Sequence, residues 1–422
     1  MAIRRGISFL IFLAASFSSA QLQRPDEISK SAHDNITAAD PFDVGTGIYF
    51  REYEDLYVKD TIPIDFVRSQ RNMDPRSRSF GIGGSTSYDM FIVGDVYKFS
   101  WVALVDPNGE QDRYERVSPG TGFADAVFEN KSSLNKFFGS RIEWKRSGGW
   151  KVSLRDGSEY AIRGCAPNSK PGLCAITEIK NAQGDRLSVD RDRDGNILRI
   201  TSPHGHTVSI QHDSEGRITQ AVDDAGHWVK YEYDEHGSLK RAVDWSGATQ
   251  RFRYDARFNM ISAHEITPAA KGRPACQVTV RNWFDEKNRF AGQRVSNGQF
   301  AWVKYRTASN GEIRGVDMHD DQGFTRFFFN DAGYEVREDF SWGKAIHWSL
   351  SRVRDPQTNA VLDLRLLCGT TETKLPVKLD GTLQRSEFYI PYFSAYCGQI
   401  NSKHKSEAKN VSQVMAVEAS KP

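Results

Sequence analysis

The feature that most constrains this chain is a 21-residue repeat between Thr177 and Ala263. Its copies are marked by Gly184–Asp192–Gly195, Gly205–Asp213–Gly216, Gly226–Asp234–Gly237 and Gly247–Asp255. Apolar residues recur at equivalent positions of the copies, for example Ile197, Ile218, Leu239 and Met260. This pattern predicts one hairpin per copy, with a single apolar face. A lone hairpin cannot bury that face, so successive hairpins must stack into a continuous sheet.

The aspartates of the repeat are predicted to form turns rather than to act in catalysis. An Asp carboxylate can accept a backbone N–H two residues later, and Gly readily adopts the left-handed conformation that such turns need. The predicted structural turn residues are Asp192, Gly195, Asp213, Gly216, Asp234, Gly237 and Asp255.

Residues 1–20 have the pattern of a secretory signal peptide. Arg4 and Arg5 precede an apolar run from Ile7 to Ala15, and Ser18, Ser19 and Ala20 offer small residues for cleavage. No later stretch reaches the roughly 20 apolar residues of a membrane helix. We therefore predict an exported protein, periplasmic or extracellular, with no membrane insertion.

The charge of the chain argues against a nucleic-acid partner. The signal contains two of the 56 Lys and Arg residues and none of the 54 Asp and Glu residues, so the mature chain would carry 54 of each sign. Such a chain lacks the long-range basic field that attracts polyanions such as DNA. The expected state is a monomer without a cofactor.

Five cysteines in an exported chain favour disulfides. Cys165 and Cys174 flank a loop with two prolines and a glycine, which predicts a Cys165–Cys174 bond. Cys368 and Cys397 are predicted to close the C-terminal segment. Cys276 is then left as a buried or unreactive thiol.

The rest of the chain divides by composition. Residues 21–39 are polar and predicted to be a flexible lead-in. Residues 40–165 alternate apolar and polar residues between turn formers, as in a β-rich domain. The repeat array extends over 166–350 with decayed copies, residues 351–400 are predicted to cap it, and 401–422 form a disordered tail.

Two stretches resemble a known family. The Tyr-Asp repeat at Tyr233 and Tyr254 resembles that of RHS and teneurin-like proteins, and the order of motifs from Asp40 to Tyr160 is similar to the domain that precedes such repeats in bacterial RHS proteins. In that family the repeats wrap into a β-shell around a C-terminal toxin. This chain has fewer copies, so the resemblance implies an all-β fold with a curled, incompletely closed repeat sheet, a partial β-shell.

Two sets of side chains are candidates for binding. Trp228, Trp245 and Trp302 recur along the array and are predicted to form a binding surface, with burial against an opposing sheet as the alternative. His206 and His227 occupy equivalent positions of adjacent copies and are candidates for a shared metal, although no thiolate or carboxylate set completes the site. No pair of carboxylates and no nucleophile motif predicts catalysis.

These observations favour a non-enzymatic, exported scaffold whose concave sheet holds a protein or a glycan. An accessory component of an RHS polymorphic-toxin or secretion system is the alternative, and a hydrolase is the third possibility.

Overall fold

The computed structural model describes residues 42–107, 109, 111–131, 136–164, 171–269, 274–321, 323–342, 346–357, 359, 361–375 and 397. The elements with described bounds are 30 β-strands and a 3-10 helix at Pro171–Cys174. The predicted all-β class is therefore confirmed. Among the described residues there is no helix with the length and hydropathy needed to cross a membrane.

Residues 42–90, called the N-terminal unit below, contain five short strands. They are β1 (Phe50–Val58), β2 (Ile64–Arg71), β3 (Ser77–Arg78), β4 (Gly81–Ile82) and β5 (Gly84–Thr86). β2 lies between β1 and β5 in an antiparallel sheet, and β3 pairs with β4.

The other 25 strands form one long antiparallel sheet in which each strand pairs with the next along the chain. They are β6 (Phe91–Gly94), β7 (Trp101–Val105), β8 (Gln111–Arg116), β9 (Val127–Glu129), β10 (Arg141–Trp144), β11 (Trp150–Ser153), β12 (Glu159–Ile162), β13 (Ile176–Lys180), β14 (Arg186–Arg191), β15 (Ile197–Thr201), β16 (Thr207–His212), β17 (Ile218–Asp223), β18 (Trp228–Tyr233), β19 (Leu239–Asp244), β20 (Thr249–Tyr254), β21 (Met260–Thr267), β22 (Cys276–Phe284), β23 (Phe290–Val295), β24 (Phe300–Thr307), β25 (Ile313–Asp320), β26 (Gly323–Phe329), β27 (Glu335–Trp342), β28 (Ile346–Arg354), β29 (Val361–Cys368) and β30 (Thr371–Leu375). The sheet continues through the predicted boundary between residues 165 and 166, because β12 pairs with β13.

The sheet curls without forming a ladder between its first and last strands. No register joins β6 to β30 in the described residues. Instead, β6 returns to the start of β13 through a bridge between Phe91 and Ala175 and a 2.9 Å hydrogen bond from Ile176 N to Met90 O. The expectation of a curled, incompletely closed sheet is confirmed.

A β-bulge in each hairpin of the array accounts for this curvature. In the regular copies the register shifts at Asp190/Arg191, Gln211/His212, Glu232/Tyr233 and Arg253/Tyr254. Further shifts follow at Trp283/Phe284, Arg306/Thr307, Phe328/Phe329 and Val353/Arg354. A bulge increases the local twist and bends its strand. Bulges at the same end of successive hairpins therefore roll the sheet, including the hairpins whose sequences have diverged.

In the regular copies each bulge is followed by a turn held by its own Asp carboxylate. Asp213 Oδ1 accepts the N–H groups of Glu215 and Arg217 at 2.9 Å each, and its Oδ2 accepts Arg217 Nε at 2.7 Å. Gly216 has a φ of 79°, which is favourable for Gly and strained for other residues. Asp192, Asp234 and Asp255 accept backbone N–H groups in the same way.

The tyrosine of the repeat ties one hairpin to the previous one. The Tyr233 hydroxyl donates to Ile218 O at 2.6 Å, and Arg217 covers the ring with its guanidinium carbon 4.6 Å from the centroid. Tyr305 makes a similar bond to Phe290 O at 2.6 Å, with Arg289 over its ring. These side chains fasten neighbouring hairpins on the inner face of the sheet.

The N-terminal unit fills the inside of the curled sheet. Its buried residues, including Phe66 and Phe80, share one core with the repeat residues Val229, Tyr231 and Phe252. Backbone bonds also cross this contact, from Ile218 N to Ser79 O, from Ile82 N to Gly237 O and from Phe290 N to Gly47 O. The apolar face that one hairpin cannot bury is thus covered by an earlier part of the same chain.

A buried ion pair anchors this contact. The fully buried Arg68 donates to Asp55 at 2.8 and 3.0 Å and also to Gln250 of β20. The Tyr231 hydroxyl donates to the same Asp55 at 2.7 Å. The Asp55 carboxylate is therefore shared between an arginine of its own unit and a tyrosine of the array.

The cysteines differ in state. Cys368 of β29 is bonded to Cys397. Cys174 is disulfide-bonded, and its predicted partner Cys165 lies outside the described residues, so that pairing stays a prediction. Cys276 is a free thiol and is exposed, so it is not buried, and the alternative of an unreactive thiol stays a prediction. The predicted signal peptide 1–20, lead-in 21–39, tail 401–422 and about half of the cap 351–400 also lie outside the described residues.

Candidate functional site

The two faces of the array have different surroundings. The inner face of β17 to β23 packs on the N-terminal unit, so the expectation that the concave sheet holds a ligand is wrong for these strands. The physical reason is that the N-terminal unit supplies the apolar cover that the hairpins need. Their outer face carries the alternate side chains and is open to solvent, and it is there that a partner can be bound.

An aromatic row crosses the outer face of neighbouring strands. Trp283 of β22 and Trp302 of β24 are 42% and 40% exposed, although both are large apolar side chains. They lie on either side of Gly292, which is opposite both residues in the register of β23. His319 of β25 and Phe324 of β26 continue the same row. We call Trp283, Trp302, His319 and Phe324 the outer aromatic row.

The rings of this row are held in place by their neighbours. Trp302 stacks on His319 with centroids 4.0 Å apart and planes at 7°, and His319 lies 5.8 Å from Phe324. The Trp283 ring lies across β23, where a Cβ at Gly292 would be 2.3 Å from Trp283 Cζ2. Only glycine leaves room for this ring position. Trp302 and His319 therefore form a flat stacked pair, with the rings of Trp283 and Phe324 on either side of it.

A second feature, the basic groove, adjoins the row. It is lined by Arg251 and Arg253 of β20 and Arg281 of β22, and we include Arg294 of β23, which is opposite Arg281; all four are exposed. The floor on β21 includes Ile261, Ser262 and His264, with Thr279 of β22 beside them. None of the four arginines has a hydrogen bond or an ion pair within the described part of the chain. Outer-face arginines on nearby strands do have acids, since Arg241 bonds Glu232 at 2.7 Å and Arg326 bonds Asp317 at 2.8 Å.

The registers bring three of these arginines into one line across the sheet, with Arg251 two residues from Arg253 on the same strand. Arg253 is opposite Ser262, Ser262 is opposite Arg281, and Arg281 is directly opposite Arg294. Like charges directly opposite on paired strands are destabilising. His264 is held by a 2.8 Å bond between its Nδ1 and Thr279 Oγ1. The groove therefore offers many N–H and O–H donors, and no carboxylate belongs to its described lining.

The three predicted tryptophans do not form a single surface. Trp302 lies in the outer aromatic row. Trp228 is half-buried on β18 with Lys230 Nζ 4.8 Å from its ring centroid. Trp245 is 55% exposed on the turn after β19, and its ring centroid is 4.5 Å from that of His227. β19 and β24 are five strands apart, or about 24 Å at the usual strand spacing. Trp245 is therefore remote from the row.

The two candidate metal ligands each bind a different carboxylate. His206 Nδ1 lies 2.7 Å from Asp224 Oδ2, and His227 Nδ1 lies 2.8 Å from Asp223 Oδ2. No group of three His, Cys, Asp or Glu side chains with metal-binding geometry occurs in the described ranges. Nearby His204 contacts Asp60 of the N-terminal unit, and hydrogen bonding to that carboxylate raises the pKa of His204.

One carboxyl group away from the outer face is strongly perturbed. Burial, with a smaller contribution from the charge of Asp112, raises the pKa of Asp106 to about 7. Asp106 follows β7 and Asp112 is on β8, across a tight hairpin. This pair lies on β7–β8, apart from the outer aromatic row on β22–β26, and its consequence is for stability.

The sequence reasoning identified Trp302 as a candidate and missed the four arginines. The alternation of side chains along a strand could have identified them. Arg281 and Trp283 are two residues apart on one strand, as are Arg251 and Arg253, so the members of each pair lie on the same face of the sheet. The opposition of Arg281 and Arg294 follows if the turn at Asp285 is taken as the hairpin end.

Two family models match the sequence. The model described as "Domain of unknown function (DUF6531)" matches residues 39–114, and the model "RHS Repeat" matches residues 191–227. No curated protein matches the chain significantly.

Several solved structures are similar. TcdB2-TccC3 has 10% identity and a TM-score of 0.35, with 83% of this chain and 24% of that chain covered. TcdB2-TccC3-TEV has 10% identity and a TM-score of 0.34, covering 78% and 22%. The Photorhabdus luminescens Tc holotoxin pore has 9% identity and a TM-score of 0.29, covering 76% and 21%. The chain thus spans between a fifth and a quarter of the length of these chains.

Proposed function

We propose that this chain, which is an RHS-repeat protein by its two family matches and its repeat, is a non-catalytic scaffold that binds a carbohydrate chain on the outer face of its sheet. The observation that carries the proposal is the outer aromatic row. Large exposed aromatic rings on a rigid sheet offer much apolar contact area at little cost in side-chain entropy, and their flat faces suit the C–H faces of sugar rings.

Two structural facts support this choice of face. The N-terminal unit fills the inside of the array, which leaves the outer face for a partner. The row also exposes apolar area that the fold does not require to be exposed. Trp283 and Trp302 are about two-fifths accessible, whereas Trp348, on β28 of the same sheet, is buried. Export to the periplasm or the outside is part of the proposal and follows from the N-terminal pattern and the family.

The test is a binding assay on defined polysaccharides, both neutral and acidic, with tryptophan fluorescence and calorimetry as readouts. The variant W283A/W302A is compared with W245A, which removes an exposed ring far from the row. We expect the double variant to lose binding by about tenfold or more, since each aromatic contact contributes about 1 kcal/mol. W245A should bind as the unmodified chain does.

Two results would contradict the proposal. One is the absence of binding to any polysaccharide by a correctly folded protein; the other is an equal loss in W245A and in the double variant. Release of sugar fragments during the assay would refute the non-catalytic part and support a hydrolase.

An accessory role in an RHS toxin or secretion system is a second candidate, favoured by the RHS Repeat match alone. Its test is co-purification of the chain with a purified toxin or immunity protein encoded beside it. A stable complex in which W283A/W302A has no effect would favour this second role over carbohydrate binding.

A further inference from the structure

We infer that the basic groove is an anion subsite and that the carbohydrate bound by this chain is an acidic polysaccharide, with carboxylates on its sugar rings. The inference rests on the proposed function, because it specifies the ligand of the same outer face. It is carried by the four arginines without acid partners in the described residues, namely Arg251, Arg253, Arg281 and Arg294.

Electrostatic repulsion between arginines points to an anion in the basic groove. Arg281 and Arg294 are directly opposite on β22 and β23, and Arg251 is directly opposite Arg241 on β19. The two members of each pair repel each other. Within the described residues, only Arg241 of these two pairs forms an ion pair with an acid, Glu232. An anion between the guanidinium groups converts this repulsion into attraction. On the strands to either side, Arg241 and Arg326 instead pair with the cross-strand acids Glu232 and Asp317.

The shape of the guanidinium groups indicates which kind of anion the basic groove binds. A guanidinium group is planar and binds a carboxylate through two parallel N–H···O bonds. The groove adds the Ser262 hydroxyl and the Nε2 of His264, whose other nitrogen is held by Thr279. Arg253 and Arg281 are separated by the single strand β21, so they are about 10 Å apart at the backbone. This span accommodates a sugar ring with its carboxylate.

The position of the basic groove beside the outer aromatic row favours a glycan over other polyanions. Trp283 is two residues from Arg281 on the same face, so the groove and the outer aromatic row are continuous along β22. A ligand that uses both must carry anionic groups and flat apolar faces in alternation, as an acidic polysaccharide does. A nucleic acid would need a wider basic field than this chain has, given its formal net charge of +2. An acidic peptide would use the arginines and leave the rings without a matching partner.

The experiment compares polygalacturonate with neutral galactan, polyaspartate and single-stranded DNA as probes of the full chain. The variant R281Q/R294Q is matched by R199Q, which removes an exposed outer-face arginine of β15 far from the groove. We expect R281Q/R294Q to bind polygalacturonate about tenfold or more weakly, since hydrogen bonds to charged groups are the stronger ones. R199Q should leave this binding unchanged. Binding should also weaken when salt is raised from about 50 to about 300 mM, which shortens the screening length.

The outcomes separate this inference from the proposed function. If galactan binds as tightly as polygalacturonate and R281Q/R294Q has no effect, the anion subsite is refuted while carbohydrate binding stands. If polyaspartate or DNA binds more tightly than either polysaccharide, the acidic glycan is refuted in favour of that ligand. If no polysaccharide binds, both fail. Melting curves of each variant establish that a loss of binding is not a loss of folding.

Discussion

The tyrosine hydroxyl bond that joins successive hairpins can be tested by mutation, and the equivalent tyrosine of the next copy provides the control. Tyr233 and Tyr254 occupy the same position of two adjacent copies. The Tyr233 hydroxyl donates to Ile218 O at 2.6 Å, whereas the buried Tyr254 hydroxyl has no hydrogen-bond partner in the described residues. The substitutions Tyr233→Phe and Tyr254→Phe remove the same atom from the two sites. Removal of this atom should therefore destabilise the protein at Tyr233 and should not destabilise it at Tyr254.

The magnitudes follow from the environment of each hydroxyl. Loss of a neutral buried hydrogen bond costs about 0.5–1.5 kcal/mol, and an unpaired carbonyl left behind adds to that cost, so Y233F should be destabilised by about 1–2 kcal/mol. A buried hydroxyl without a partner carries a desolvation penalty of about 1–3 kcal/mol. Y254F should thus be neutral or stabilised by up to about 1 kcal/mol. Burial raises the pKa of both phenols, so neither is ionised near neutral pH.

The assay is equilibrium unfolding in urea followed by circular dichroism, because the midpoint and the slope together report the change in free energy. Thermal unfolding is the less sensitive assay, because in a chain of this size a given change in free energy shifts the melting temperature by only a small amount. Tyr305→Phe provides a second positive case, since its hydroxyl donates to Phe290 O at 2.6 Å. If Y254F loses as much stability as Y233F, the hydroxyl bond is not what ties the hairpins, and the reasoning is refuted.

Three further predictions concern the N-terminal unit, the turns and the buried acid. Asp55→Ala leaves the buried Arg68 without its carboxylate and should cost about 3–5 kcal/mol in urea unfolding, whereas the double variant D55L/R68M should recover most of that loss. Gly216→Ala, at a φ of 79°, should cost about 1 kcal/mol or more, while Gly122→Ala, a glycine with no positive φ, should be milder. Asp106 has a folded pKa raised to about 7, so its protonated form favours folding: its contribution to stability should be highest below about pH 4 and fall as the pH rises to 7, and Asp106→Asn should flatten that profile in urea unfolding across this pH range.

The repeat made the local fold predictable. Its 21-residue period fixes which residues face inward, so Val229 and Tyr231 could be placed in the core from spacing alone. The decayed copies after Ala263 were predicted as hairpins, and their bulges at Phe284, Thr307 and Phe329 show that the hairpin geometry continues there. The hairpins are encoded by turn residues and by the alternation of apolar and polar side chains, and both signals extend over only a few residues of sequence.

The position of the N-terminal unit could not be predicted in the same way. Asp55 bonds Tyr231 across 176 residues of sequence, and Asn72 bonds Asn288 O across 216. Neither Asp55 nor Asn72 belongs to a periodic pattern that indicates its partner. A polar residue in a short strand looks exposed until its distant partner is known. For this reason the concave face was expected to be open, when it is in fact the core.

The basic groove was missed because its charge is not shared by the copies. Arg253 occupies a position where the earlier copies have Asp190, Gln211 and Glu232, and Arg281 and Arg294 follow an insertion near residues 269–274, where the 21-residue spacing is lost. Trp302 was found because aromatic residues recur along the array regardless of phase. Residue types shared by the copies mark the positions that fold the sheet, whereas a residue type present in one copy only leaves no periodic signal.

The repeat itself indicates where a specific function can reside. At the inner position of the copies the residues are similar in character, with Ile210, Tyr231 and Phe252 all buried in the core shared with the N-terminal unit. At the adjacent outer position the residues are Asp190, Gln211, Glu232 and Arg253, which change from acidic to basic along the array. Packing in the core restricts the inner position to apolar or aromatic residues, whereas exposure to solvent places no such restriction on the outer position. An outer face that becomes basic at the fourth copy, beside the exposed rings of the next strands, is therefore not required by the fold, and its charge is a property that a ligand can read.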